Sequence, residues 1–376
     1  MKENFKGVIF IILLALAVGV FGGVYLYKNS YSKENNYISK KPEENIADSV
    51  EINVKLVPYK GVVEHIFFHP LISDVKVAFQ SGDRRTNNFD DWFITPKEFN
   101  KILDSLYAKG FILVDINDIY EEYEKDGIKR MRRKELLIPY GKKPLIISID
   151  DLSYNTGNKG GINDRLIIGK DGNLAALSYK DNKEIVSYNN EIIPILDRFI
   201  KTHPDFSNNN AKATLALTGY EGILGYRTQK NSQNRKEEIE SVKPIIKKLK
   251  ENGWTFASHS YGHNNIQKQS LEKLKIDADK WEKEVKSLVG DTMIFIYPHG
   301  WEMKTDDPKL KYLQEKGFRI FYSVGPHSYE MISSKTNAVL SDRMAVDGVT
   351  LRNRGDEFLK FYDANEIIDL EARPKR

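Results

Sequence analysis

The chain has 376 residues, with 57 Lys and Arg against 53 Asp and Glu and a formal net charge of +4. So even a balance excludes nucleic acid as the main partner, because phosphate binding needs a concentrated excess of cations. Cysteine is absent, which excludes disulfides, thiolate metal sites and cysteine nucleophiles.

Residues 7–27, "GVIFIILLALAVGVFGGVYLY", carry no charge, and at about 1.5 Å per residue they span roughly 31 Å, one bilayer core. Lys2 and Lys6 precede the run; Lys28 and Lys33 follow it. "ALA" at 15–17 is similar to a signal-peptide cleavage site, yet the apolar run continues past it and ends in Tyr25 and Tyr27. The expectation is an uncleaved signal anchor over 1–27, its first residues cytoplasmic, in a cell membrane. A polar stalk without period follows over 28–55, and a folded domain over 56–376 lies outside the cytoplasm.

Within that domain, apolar runs alternate with amphipathic helices. "TPKEFNKILDSLYAKG" predicts a helix with Thr95 as N-cap, Pro96 at the first position, Glu98 completing a capping box and Gly110 as stop. Strand "FILVDI" follows. "KRMRRKE" at 129–135 reads as a solvated surface turn. Residues 164–188, "DRLIIGKDGNLAALSYKDNKEIVSY", read as a β-hairpin insertion folded over one edge of the mouth. Strand "KATLALTGY" comes next. Then helix "KEEIESVKPIIKKLKENG" leads to strand "WTFASH", helix "SLEKLKIDADKWEKEVKSLVG" to "MIFIYP", and helix "PKLKYLQEKG" to "RIFYSVG". Repeated β/α units imply an α/β fold with a largely parallel sheet, open or closed into a barrel. Functional groups then belong just past the C-terminal ends of strands.

Three strand ends carry chemistry. "PLIISIDDLSYN" runs an apolar strand into Asp150 and Asp151. "HSYGH" places His259 and His263 at i, i+4, sharing a face if the turn is helical, and "YPHG" follows "MIFI". Two His and one carboxylate make a three-ligand site of the kind that holds catalytic zinc, with a position left open for water. Neighbouring residues on a regular strand face opposite ways, so both acids address one site only where the strand ends and the chain turns. One acid then binds the cation while the other, ionised beside it, serves as base. An acid pair alone reads first as a solvated turn.

His65 and His69 repeat the i, i+4 spacing, but in a strand such a pair lies about 13 Å apart, too far to share an ion; His69 still lines the mouth if the strand ends before it. His203 reads as a surface helix end. The Gly-, Tyr- and Arg-containing loop "TGYEGILGYRT" suits sugar contact and packed turn alike. Trp254 and Trp281 read as packing residues, and Trp301 is the candidate sugar platform. Arg343 in "SDRMAVDG" pairs either with a site acid or with a surface one.

"SIDDLSY", "HSYGH" and "YPHG", in that order, resemble the signature motifs of the polysaccharide deacetylases, the NodB-homology family; "ITPKEFNKILDSLYAKGFILVDINDIY" and "KATLALTGY" are similar to supporting stretches of that family. The resemblance covers roughly residues 57–361. It implies a distorted, incomplete (β/α) barrel and removal of N-acetyl groups from an envelope or extracellular polysaccharide of N-acetylglucosamine type. It makes Asp150 the base, and Asp151, His259 and His263 the ligands of one divalent metal, zinc by preference. The turn Tyr297, Pro298, His299 and Gly300 would bind the oxyanion through the His299 N–H, with Arg343 beside it. The chain departs from the family pattern at Leu152, where Gly is usual, and at Ile296, where Arg is common. The family's late His has no clear match, and His327 in "YSVGPHSY" is either the acid or an exposed loop histidine after Gly-Pro. Polysaccharide is the expected partner, with the membrane through the N-terminal helix and no obligate protein partner. The alternatives are a catalytically impaired glycan-binding protein on the same fold, and a hydrolase of another non-peptide amide.

Overall fold

The computed structural model describes residues 55–80, 82 and 84–375. The anchor and most of the stalk lie outside the described residues. Among the described residues no helix is long and apolar enough to cross a membrane.

Seven strands form the centre: β1 Glu64–Phe68, β2 Lys143–Asp150, β3 Thr214–Leu217, β4 Thr255–Ser258, β5 Ile294–Ile296, β6 Ile320–Val324 and β7 Ala338–Ala345. All seven are parallel and hydrogen-bonded in a ring, in the order β3-β4-β5-β6-β7-β1-β2 and back to β3. The barrel is therefore closed, where an incomplete one was expected. It closes because β2 shares one edge: Lys143–Leu145 pair with the outlying strand Phe111–Leu113, and Ser148–Asp150 pair with β3.

Period-two alternation sorts the side chains. Ile146, Ala216, Ala257, Ile294, Ile296, Ile320, Tyr322 and Val339 fill the barrel interior, while Leu145, Ile147, Ile149, Leu215, Phe256, Phe295 and Phe321 face the surrounding helices. Those helices include α1 Arg84–Trp92, α2 Pro96–Ala108, α3 Ile192–Thr202, α4 Arg235–Glu251, α5 Leu271–Trp281 and α6 Pro308–Glu315. In α2 the capping box is present: Thr95 accepts from the Glu98 N–H, and Glu98 accepts from the Thr95 N–H. Its apolar stripe Phe99, Ile102, Leu103 and Leu106 is buried.

Two local expectations are corrected. Residues 164–188 form a three-stranded antiparallel meander, Arg165–Ile168, Leu174–Lys180 and Lys183–Ser187, not a hairpin. Buried Leu166, Leu174 and Ala176 give it an apolar face. It contacts α3 and α4 on the outside of the barrel, so it does not cover the mouth. Residues 128–133, most of "KRMRRKE", are a strand paired with Tyr120–Lys125, and the cross-strand ion pairs Arg132–Glu121 and Lys129–Glu122 give its cations acidic partners.

Candidate metal and catalytic site

Asp150 is the last residue of β2, and its side chain shares the inward face with Ile146 and Ser148. Asp151 follows with φ 58°, a left-handed turn that aspartate tolerates better than most residues. That turn brings the second carboxylate to the mouth alongside the first.

The histidines arrive by a different route from the one the spacing suggests. After β4 the chain is not helical; Ser260 (φ 54°) and His263 (φ 52°) both take left-handed conformations. Those turns bring the His259 and His263 rings to a centroid distance of 5.0 Å. One ligand atom each from Asp151, His259 and His263 lie within 4.8 Å of one another.

The donor set fits a divalent transition metal. His259 Nδ1 lies 2.9 Å from the Ile296 carbonyl; an oxygen only accepts, so the proton sits on Nδ1 and Nε2 keeps its lone pair. Asp151 Oδ1 is buried without a hydrogen-bond partner, and Asp151 Oδ2 is 3.4 Å from His263 Nε2. Burial pushes the His259 pKa down to about 3, against the pull of Asp150, and also lowers that of His263. Both rings are therefore neutral ligands at neutral pH. Asp151 is pushed up to about 6 by burial and by the charge of Asp150, with His69 opposing.

That last shift has a measurable consequence. A folded-state pKa above the unfolded value near 3.9 means that the stabilisation from protonated Asp151 is fully present below about pH 4 and is lost as the pH rises through about 6, and a cation relieves that loss. Below about 6 the metal must displace a proton. The rise in Tm produced by saturating Zn2+ is expected to grow as the pH goes from 5 to 7.5. A pH-independent rise would show that Asp151 does not control metal affinity.

Asp150 differs in every respect. Burial alone would raise its pKa, but Arg343 and the nearby His259 more than offset this and hold it well below the usual carboxylate range. Arg343 donates through Nη1 to Oδ1 at 2.8 Å and through Nη2 to Oδ2 at 2.9 Å. This is a bidentate fork between two buried groups. Nη1 also reaches Ser148 Oγ at 2.9 Å, and the guanidinium stacks 4.0 Å from the centre of the Phe67 ring. His259 Nε2 stands 3.7 Å from Asp150 Oδ2. Of the two partners left open for Arg343, the site acid is the one it has.

The "YPHG" turn completes one wall. His299 has φ 59° and Gly300 φ 72°; a Cβ at Gly300 would stand 2.5 Å from Val324 Cβ, so glycine is required there. Tyr297, His299 and Gly300 line the cavity, whereas Pro298 is buried beside it without lining it. His299 donates from Nε2 to the His263 carbonyl at 3.2 Å, which ties this wall to the ligand loop.

The cavity has a volume of about 560 Å³ and holds Asp150, Asp151, His259, His263 and Arg343 together. His327 is not among the lining residues. It is exposed, because the chain after Val324 turns outward through Gly325 and Pro326. His69 does line the cavity: β1 ends at Phe68, so the residue beyond it is free of the strand's alternation. His65, inside the barrel, contacts Ser148 Oγ at 2.9 Å and does not line the cavity. Arg227 turns from the solvent to the backbone, donating to the carbonyls of Ser153 (3.0 Å), Glu221 (2.7 Å) and Tyr154 (2.7 Å). Its loop is thus a packed turn that leaves Tyr220 at the cavity. Leu152, in place of the family's Gly, is buried and accepts a bond from the Leu224 N–H at 2.7 Å.

The family model described as polysaccharide deacetylase matches residues 201–321. Over this segment the chain is similar to the polysaccharide deacetylases. The match spans β3 to β6 and takes in His259, His263 and the "YPHG" turn; Asp150 and Asp151 precede it. No curated protein sequence matches the chain. Among solved structures it is similar to a de-N-acetylase from Aggregatibacter actinomycetemcomitans, with 10% identity, TM-score 0.45, and coverage of 80% of this chain and 100% of that one. It is also similar to a Streptococcus pyogenes deacetylase in complex with acetate, with 13% identity, TM-score 0.42, and coverage of 78% and 94%.

Proposed function

We propose that this polysaccharide deacetylase family member is a metal-dependent hydrolase that removes N-acetyl groups from an N-acetylglucosamine-type polysaccharide. By its N-terminal sequence it acts outside the cytoplasm, held to the membrane. The observation that carries the reading is the meeting of two unlike carboxylates in one cavity: Asp151 among two neutral histidines, and Asp150 locked to Arg343.

Asp151, His259 and His263 would hold the ion, which when bound supplies Lewis-acid polarisation of the acetamide carbonyl and a more acidic water. Asp150, kept ionised and oriented by Arg343, takes the proton of the attacking water. The His299 N–H donates to the oxyanion. His69, in the same cavity as both acids and Asp347, gives the proton that the leaving amine needs; the C–N bond breaks and acetate departs. The second reading, a glycan-binding protein without turnover, is favoured by one observation, the exposed position of His327.

Acetate release from N-acetylglucosamine oligomers, with and without chelator, separates the two. Release is expected, to be lost with chelator, and His259→Ala or His263→Ala is expected to lose both metal and activity while His65→Ala keeps its metal. Full metal occupancy in the His259/His263 double variant, or release untouched by chelator, would sink the hydrolase reading.

A further inference from the structure

Trp92 closes α1 at the rim of the catalytic cavity, with its side chain 48% exposed. Single exposed apolar side chains are common and need no explanation by themselves. This one is distinguished by how firmly it is held and by what surrounds it.

The helix that carries it is fastened from behind. Asp90, fully buried, receives Arg352 Nη2 and Arg373 Nη1, each at 2.9 Å. Arg373 also donates from Nη1 to the Asp90 carbonyl and from Nη2 to the Phe93 carbonyl, both at 2.9 Å, and grips Glu98 through Nε (2.7 Å) and Nη2 (2.9 Å). Phe89 packs into the core beside it. The face of α1 opposite the cavity is therefore fixed by charge-assisted bonds, and an indole at its end is presented at little further entropic cost. Asn88, four residues earlier and so on the same face, lines the cavity too.

The remaining lining is as informative. Among the described residues that line the cavity there is no lysine, and Arg343 is the single arginine, already engaged with Asp150. Asn155, Asn158 and the ring of Tyr220 add polar and aromatic surface to the lining. An anionic sugar would meet Asp150, Asp151 and Asp347 with no lysine or unengaged arginine among the lining residues to receive it. An uncharged pyranose would find an aromatic face for its C–H surface and amides for its hydroxyls.

We propose that Trp92 is the stacking platform for a sugar ring of the bound polymer and, with Asn88, determines the preference for uncharged N-acetylhexosamine chains over single sugars. The proposal rests on the deacetylase reading for its substrate, but it can fail separately. The purified full chain and its Trp92→Ala, Trp92→Phe and Asp150→Asn variants are compared on a hexamer and a monomer of N-acetylglucosamine. Trp92→Ala is expected to raise KM for the hexamer about tenfold with kcat changed less than threefold, to raise KM for the monomer far less, and to be largely rescued in Trp92→Phe. Equal rises on hexamer and monomer, or none on the hexamer, overturn it. In parallel, hexamer binding to Asp150→Asn is titrated with and without Trp92→Ala, which requires no turnover. Should the wild-type chain release no acetate, the hydrolase reading falls and this titration decides alone: hexamer binding that weakens about tenfold without the indole supports the platform, and binding that does not change, or is absent throughout, overturns it.

Discussion

Asp150→Asn is expected to retain its metal and to lose turnover by about 10²–10⁴-fold, the range in which a positioned general base contributes. The amide cannot take a proton from water, yet it occupies the same space. It also turns one oxygen facing Arg343 into an N–H donor, so one arm of the fork is lost and the variant is expected to melt lower by a stability loss of about 1–3 kcal/mol. The wild-type carboxyl has a folded pKa below its unfolded value. Its stabilisation is therefore fully present above about pH 4 and is lost only as the pH falls through the depressed folded value. Asp150 is thus ionised across the neutral range, and the acid limb of the rate profile is expected to follow Asp151. Asp151→Asn should lose metal and turnover together. Metal content, melting and turnover on both variants decide the matter, and identical behaviour would end the division of labour between the two acids.

The second large effect falls on His69. His69→Ala should keep its metal and lower turnover by about 10²–10⁴-fold, because the expelled amine then loses the donor proposed for it. His327→Ala, at an exposed position outside the cavity, is the control and should turn over near the wild-type rate. The reverse pattern would return the acid role to His327 and imply that its loop folds inward over substrate.

Much of the site could be read in the sequence because it lies at strand ends, and strand ends are marked by apolar runs stopping. Asp150, Asp151, His259, His263 and the "YPHG" turn were legible on that ground. The manner in which His259 and His263 approach each other was not, since left-handed turns at Ser260 and His263 leave no periodic trace. His69 was set aside on strand geometry that applies to His65 but ends one residue before His69. The partner of Arg343 was hidden by distance, 193 residues along the chain from Asp150. Trp92 gave no signal at all, because a tryptophan closing a short helix looks like core until the cavity is seen beside it. The meander at 164–188 was misplaced for a related reason: its strands were visible, but what they pack against is settled by α3 and α4.

The order in which the ring is completed bears on how the protein matures. β7 is the last strand to be made, it carries Arg343, and it joins β1 through only two register pairs, Met344 with Ile66 and Ala345 with Phe67. Until it docks, Asp150 is a carboxylate facing a half-built apolar interior with no counter-ion, a state several kcal/mol less favourable than the finished pair. Contacts between the two ends of so long a chain form slowly. Nascent or truncated forms that stop before β7 therefore lack the Asp150–Arg343 pair, and the proposed activity is expected only in the closed molecule. This makes folding itself the gate on the proposed activity.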